Sequence, residues 1–239
     1  MIINQAAGKV YLIPTVIAPD TFEESLPTSV KTTVNKLSYF LVENVRTARR
    51  FLSAWGIEKP ISSLRFEVLD KRSTEQEIKT FFEPVLAGQN VGIMSEAGCP
   101  GVADPGTLAV EFAHRHKVQV VPLVGPSSFL LALMASGLSG QSFAFHAYLP
   151  IDKQERGKAI RQLERQSREQ QQTQIFMETP YRNEQLMEAL LKHCQPHTRL
   201  CIAKGISGPE EMIRTMPVKE WKKQKPVLQK VPTVFLMYG

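Results

Sequence analysis

NVGIMSEAGCPGVADPGTLAVEFAHRHKVQVVPLVGPSS, residues 90–128, is the stretch whose reading decides the fold. Residues 91–95 form a short apolar run that suits a buried strand, residues 107–116 carry a helical pattern, and residues 118–124 make a second apolar run. The loop between the first strand and the helix holds Gly98, Gly101 and Gly106 at close spacing, with Pro100 and Pro105 among them. Glycine lets a backbone turn through positive φ or approach a ligand closely, and proline keeps such a loop out of regular structure. At the carboxyl end of a parallel strand, a stiff, bare-backboned loop is where open α/β sheets bind small molecules. Ser95, Glu96 and Asp104 add groups suited to an amine, a carboxylate or a ribose. The second strand repeats the device and runs into Gly125-Pro126-Ser127-Ser128 and a further helix; the two serines either cap that helix or present donors to a ligand.

Outward from this segment the α/β pattern continues. Residues 9–15 read as a first strand, 37–43 as a continuous apolar strand buried on both faces, and 63–69 as a third. A loop and helix are expected over 22–35 with a cap at Asp20 or Thr21, and helices over 47–55 ending at Gly56 and over 75–87, where Pro84 disturbs the last turn. Residues 126–136 read as an apolar helix with Phe129 and Met134 in the core. Farther on, strands at 142–149, 174–178 and 200–206 are separated by helices over 153–172 and 183–194. Residues 212–215 and 232–238 read as antiparallel strands flanking a short helix near 218–223.

Composition excludes several classes. A chain of 239 residues with 43% hydrophobic and 22% charged residues is an ordinary soluble protein with one large core or two modest ones. Its first fourteen residues hold a short apolar run without a basic leader, so they read as neither a signal peptide nor a membrane span. Cys99, Cys194 and Cys201 have no metal-ligand spacing, and an odd count fits a reducing cytoplasm; Cys99 reads as a small packing residue. No GxGxxG motif is present. The net charge of +6, from 29 Lys and Arg against 23 Asp and Glu, permits nucleic-acid binding without requiring it.

Several ordered motifs carry a specific resemblance. Ser95-Glu96-Ala97-Gly98-Cys99-Pro100, Asp104-Pro105-Gly106, Val121-Pro122-Leu123-Val124-Gly125-Pro126, residues 143–150 (FAFHAYLP) and Met177-Glu178-Thr179-Pro180-Tyr181-Arg182 resemble the tetrapyrrole methylase superfamily. Within it they are most similar to the branch that methylates a cytidine ribose 2′-hydroxyl in small-subunit ribosomal RNA, whose motifs run S-D-A-G-T-P, D-P-G, V-P-L-P-G-P, F-x-G-F-L-P and Y-E-S-x-x-R. The resemblance implies two α/β domains, 1–124 with a mainly parallel sheet and 125–239 with a mixed one, and S-adenosylmethionine folded into the cleft between them. It also implies a cytoplasmic homodimer whose partner is ribosomal RNA or the small ribosomal subunit. Cofactor-holding groups would come from Pro14, Ser95, Glu96, Ala97, Gly98, Val102, Asp104, Gly125, Pro126, Ser127 and Ser128.

Two turns are expected to face the substrate. Glu43 and Arg46 match the branch's A-E-D-T-R, although Asn44 and Val45 depart from it. Arg46 either grips an RNA phosphate or pairs with Glu43 to fix the turn. Glu178 and Arg182 likewise either serve the site or form a buried pair that holds their turn. Methyl transfer to a hydroxyl needs alignment and a proton acceptor, and Glu43, Asp104 and Glu178 are the unranked candidates. Arg46, Arg182 and Lys204 are candidates for holding RNA, and the basic residues of 153–168 read as an exposed helix face that is solvated or turned to RNA. Departures stand at Ala18, where the family has glycine, and across 204–208, where Gly205 replaces a glutamate and Gly208 a lysine. Besides RNA methylation, two readings stay open: methylation of a corrinoid or porphyrinoid precursor, and a cofactor-binding descendant that has lost catalysis.

Overall fold

The structure is a computed structural model that describes residues 7–239; residues 1–6, the start of the stretch read above as neither leader nor span, lie outside the described residues. Two compact units divide the chain between Ser127 and Ser128.

In the first unit five strands lie parallel: β1 (Lys9–Ile13), β2 (Tyr39–Val42), β3 (Arg65–Val68), β4 (Val91–Met94) and β5 (Gln119–Pro122), in the order β3-β2-β4-β1-β5. Helices α1 (Phe22–Ser25), α2 (Thr28–Val34), α3 (Val45–Trp55), α4 (Glu75–Leu86) and α5 (Thr107–Arg115) fill the connections. Because successive side chains of a strand point to opposite faces, the apolar run of β2 serves two layers. Tyr39 and Leu41 pack with Ile78, Phe82, Ala109 and Phe112 of α4 and α5, while Phe40 and Val42 pack with Val30, Val34, Leu52 and Trp55 of α2 and α3. β3 starts later than the apolar pattern suggests, because Ile61–Ser63 coil into a 3-10 turn. Pro84 sits inside α4 near its end, where losing one donor leaves the helix intact, and a Thr74–Glu77 capping box secures the other end.

The second unit has α6 (Ser128–Ser136), β6 (Phe143–Tyr148), α7 (Lys153–Gln170), β7 (Thr173–Glu178), α8 (Asn183–His193), β8 (Arg199–Lys204), β9 (Met212–Pro217), α9 (Val218–Trp221) and β10 (Thr233–Tyr238). Its sheet is mixed, in the order β6-β7-β10-β8-β9: β6 and β7 are parallel, and β10 runs antiparallel to both β7 and β8. Both sheets therefore have the character that the resemblance implies. Ile160, Leu163, Leu186, Leu190 and Trp221 pack on Phe176, Ile202 and Phe235, and the indole N–H of Trp221 donates to the Leu200 carbonyl at 2.8 Å.

Two expectations are corrected here. Met134 is not core but 80% exposed. α6 is apolar all round, so its sequence carries no stripe to tell the inner face from the outer. Nor is α7 merely an exposed helix with sparse contacts: Arg156, Gly157, Glu164 and Ser167 are buried beside Ile160 and Leu163. Glu164 and Ser167 on that inner face have partners far along the chain. Glu164 Oε1 accepts from the Gln195 N–H at 2.7 Å and from the Thr198 hydroxyl at 2.5 Å, and Ser167 Oγ accepts from the Gly239 N–H at 2.9 Å.

Phe235 lies on the central strand of the second sheet with no exposed surface and stacks on Phe176 at 6.2 Å. Phe235→Ala is expected to destabilise the protein by about 3–5 kcal/mol, read from urea unfolding.

Candidate active site

The connections of the first unit leave the sheet on two faces. From β1 to β2 and from β2 to β3 the chain passes through α2 and α3, in one apolar layer; from β3 to β4 and from β4 to β5 it passes through α4 and α5, in the other. β1 and β4 are neighbours, so at their carboxyl ends the chain departs in opposite directions and opens a crevice, the place where α/β sheets take ligands.

The rim of that crevice is closed by backbone. Thr15 N–H donates to the Gly98 carbonyl at 2.9 Å, and Gly98 N–H donates back to Thr15 at 3.2 Å. The same Gly98 carbonyl accepts from Ser95 Oγ at 2.8 Å. Ser95 and Gly98, expected among the cofactor-holding residues, thus spend these groups on shaping the loop. Gly98, Gly101, Ala103 and Gly106 all have positive φ. Ala103 does so at 60° although it carries a Cβ, a conformation that costs about 1–2 kcal/mol and is met mostly where function fixes a backbone. Gly125 lies against the ring of Pro14, where an added Cβ would come within 2.3 Å. Cys99 donates from Sγ to the Pro126 carbonyl at 3.3 Å, and burial pushes its thiol up, as befits a packing residue. Ser127 Oγ is buried without a hydrogen-bond partner. Ala97 and Val102 are exposed on the 95–106 loop, and Ser128 is the first residue of α6.

Carboxylates gather at this edge. Burial, then the charges of Glu43 and Glu96, push Asp104 up to about 6, with Lys71 opposing. Glu43 is raised too, by burial first and then by Glu96. Thr47 donates a short hydrogen bond to Glu96 Oε1. This contact was not legible in the sequence, although Thr47 stands one helical turn past Glu43. Asn44 Oδ1 caps α3, accepting from the Arg46 and Thr47 N–H groups at 2.9 and 3.3 Å. Arg46 is exposed in that first turn, and among the described residues no ion pair joins it to Glu43. Three mutually repelling carboxylates make a place for a cation, and Asp104 is poised to take a proton near neutral pH.

Glu178, Arg182 and Lys204 lie in the second unit. Glu178 is buried, and its Oε1 accepts from Arg182 Nη2 and from the Thr179 N–H, both at 2.7 Å. That carboxylate holds its turn, which argues against its candidacy as a proton acceptor. Tyr181 in the same turn is 80% exposed, and Arg182 Nε has no partner. Lys204 Nζ donates to the Val227 carbonyl at 3.3 Å. The departures from the family pattern have local causes. Gly205 takes φ 59° in the β8–β9 connection, where a Cβ would lie 3.0 Å from the Glu210 carbonyl oxygen, so the turn rejects a glutamate there. Ala18 is not among the residues of positive φ, so alanine suits the first loop.

Comparison with known proteins bears on the family and the fold. The sequence profile of the family described as tetrapyrrole (corrin/porphyrin) methylases matches residues 18–222. The chain is similar to the "Ribosomal RNA small subunit methyltransferase I" of Vibrio cholerae, at 28% identity over 99% of this chain and 79% of that protein. Proteins of the same name match from Escherichia coli O157:H7, at 26% identity over 99% and 79%, and from Thermotoga maritima, at 30% over 73% of each. Among solved structures, the methyltransferase CobJ has a TM-score of 0.63 at 18% identity, covering 98% of this chain and 95% of its own. The native form of the uroporphyrin III C-methyltransferase of Thermus thermophilus scores 0.57 at 19% identity, covering 97% of both chains. These two structures share the fold.

Because Asp104 binds its proton more tightly when folded, its ionisation weakens the fold. The protonated form contributes stability that is present below pH 3.8 and lost as pH rises through about 6. Asp104→Asn is therefore expected to raise the melting temperature at pH 7.5 by a few degrees and to leave it unchanged near pH 3, measured by scanning calorimetry.

Proposed function

The chain belongs to the tetrapyrrole (corrin/porphyrin) methylase family, which makes it a methyltransferase, and on that premise we propose that it methylates a ribose 2′-hydroxyl of a cytidine in small-subunit ribosomal RNA, with S-adenosylmethionine as donor. The observation that carries the reading is the carboxylate cluster of Glu43, Glu96 and Asp104 at the carboxyl edge of β2 and β4. Relatives that match along nearly the whole chain carry an RNA-methyltransferase name, and this favours RNA over a tetrapyrrole.

The residues present fit the cofactor. S-adenosylmethionine, when bound, supplies a methyl group on a positively charged sulfur that is already an excellent leaving group. Glu43 and Glu96 give the crevice the negative potential that favours a cation there. The positive-φ backbone at 98–106 leaves room for close approach, and the unpartnered hydroxyl of Ser127 is ready for a ligand hydrogen bond. Asp104 takes the proton of the attacking hydroxyl, since an acid near 6 is largely ionised at neutral pH and still a usable base. Arg46 offers a free planar guanidinium to an RNA phosphate. Glu178 positions Arg182, and Lys204, with one long hydrogen bond, keeps donors for the same purpose. As in the family, the enzyme is expected to be a cytoplasmic homodimer. Among the described residues no helix is long and apolar enough to cross a membrane, and exposed Leu130 and Met134 on α6 are of the kind a subunit contact covers.

Purified protein, tritiated S-adenosylmethionine and small ribosomal subunits lacking the modification should give label on a ribose of the RNA; label on a corrinoid precursor instead would overturn the substrate. Asp104→Asn is expected to lower kcat by about 100-fold or more while cofactor affinity by calorimetry stays within threefold, and the wild-type kcat should rise with pH through about 6. Glu178→Gln should lower the melting temperature and leave kcat within tenfold; the opposite pattern for the two variants would reverse their roles. Met134→Glu is expected to shift the protein toward monomer in analytical ultracentrifugation.

A further inference from the structure

On α7, Lys158, Arg161, Arg165 and Arg168 recur at spacings of three, four and three, which places them on one helix face. Together with Gln195 they line a groove of about 430 Å³, with the buried Glu164 in its wall. The rise from Lys158 to Arg168 makes this a basic stripe about 15 Å long.

Its charge is poorly compensated. Lys158 pairs with Glu155 at 2.8 Å, and Arg165 only reaches Glu169 at 4.0 Å, both at the exposed surface where such pairs are weak. Among the described residues Arg168 has no ion pair, and Arg161 Nη1 donates to a neutral ring nitrogen, Nδ1 of His193, at 2.8 Å. Glu164 cannot answer the stripe through Oε1, which is committed to Gln195 and Thr198. The crowding registers on His193, whose protonation is suppressed by burial and then by Arg161, Lys192 and Arg156. Arg156 adds a nearly buried guanidinium whose Nε has no partner. Like charges concentrated in this way oppose folding, and the arrangement is the electrostatic footprint of a polyanion site.

We propose that this groove on the second unit is a further RNA-contacting surface, gripping the phosphodiester backbone and so docking the substrate without taking part in methyl transfer. The ligand is RNA because a linear row of cations with guanidinium forks suits successive phosphates. The proposal rests on the reading of an RNA substrate given above.

The test replaces the row with glutamine, in Lys158→Gln, Arg161→Gln, Arg165→Gln and Arg168→Gln combined, and with its charge-preserving counterpart, in which each lysine and arginine is exchanged for the other. Binding of a fluorescent small-subunit RNA fragment is followed by anisotropy over about 0.05–0.3 M salt, where counterion release is read. The glutamine form should bind at least tenfold more weakly, with its salt slope reduced by about 3. Its KM for small subunits should rise while kcat and cofactor affinity hold, and the charge-preserving form should behave as wild type. An unchanged Kd and slope would overturn the proposal, as would loss of binding to intact subunits with naked RNA unaffected, which would mark an acidic protein as the partner. RNA binding through the stripe without methylation would sustain it and defeat the proposed substrate; no RNA binding by the wild type would defeat both. If the fourfold variant fails to fold, Arg161→Glu and Arg168→Glu singly carry the same comparison.

Discussion

The pair of backbone hydrogen bonds between Thr15 and Gly98 is the constraint on which the first unit's chemistry depends. It ties the carboxyl end of β1 to that of β4 at the point where their chains turn to opposite faces of the sheet. That tie anchors the start of the 95–106 loop beside the end of β1. The loop is held in a run of positive φ, and Asp104 is carried to the edge where Glu43 already stands. The unusual proton affinity of Asp104 is then a property of topology as much as of composition, since the charges acting on it arrive from separate βα connections.

Much of this was legible in the sequence, for identifiable reasons. Apolar runs such as 37–43 announce strands covered on both faces, and Gly98, Gly101 and Gly106 mark where the backbone must turn. Glu43 and Asp104, sixty-one residues apart in the chain, could each be suspected as acids, but that Glu43 lies close enough to add to the effect of burial on the proton affinity of Asp104 depends on a sheet order that places β2 beside β4. The turn at 178–182 left two readings open until the geometry showed the Glu178 carboxylate already taken up by Arg182 and a backbone N–H. α6 and α7 misled in opposite ways. One is apolar on every side, so exposure of Met134 had no signature; the other buries Glu164 and Ser167, polar residues whose partners are far along the chain.

The family departures also look different once placed. Gly205 has the left-handed φ of 59° in a tight turn where a side chain is strained, and Ala18 is not among the residues of positive φ. Opposite electrostatic characters are kept on separate units: acidic groups at the strand ends of the first, a basic row on a helix of the second.

The position of β10 has a consequence for biogenesis. It lies between β7 and β8, so the second sheet stays split into two open-edged pieces until residues 233–238 have emerged from the ribosome. Every strand of the first unit is made by residue 122, well before that. During translation a finished amino-terminal unit therefore trails a nascent half-sheet with unpaired backbone at β7 and at β8, the surface that chaperones guard and that stray strands seek. A stall between residues 204 and 233 would leave that surface exposed on a chain whose first half is already folded.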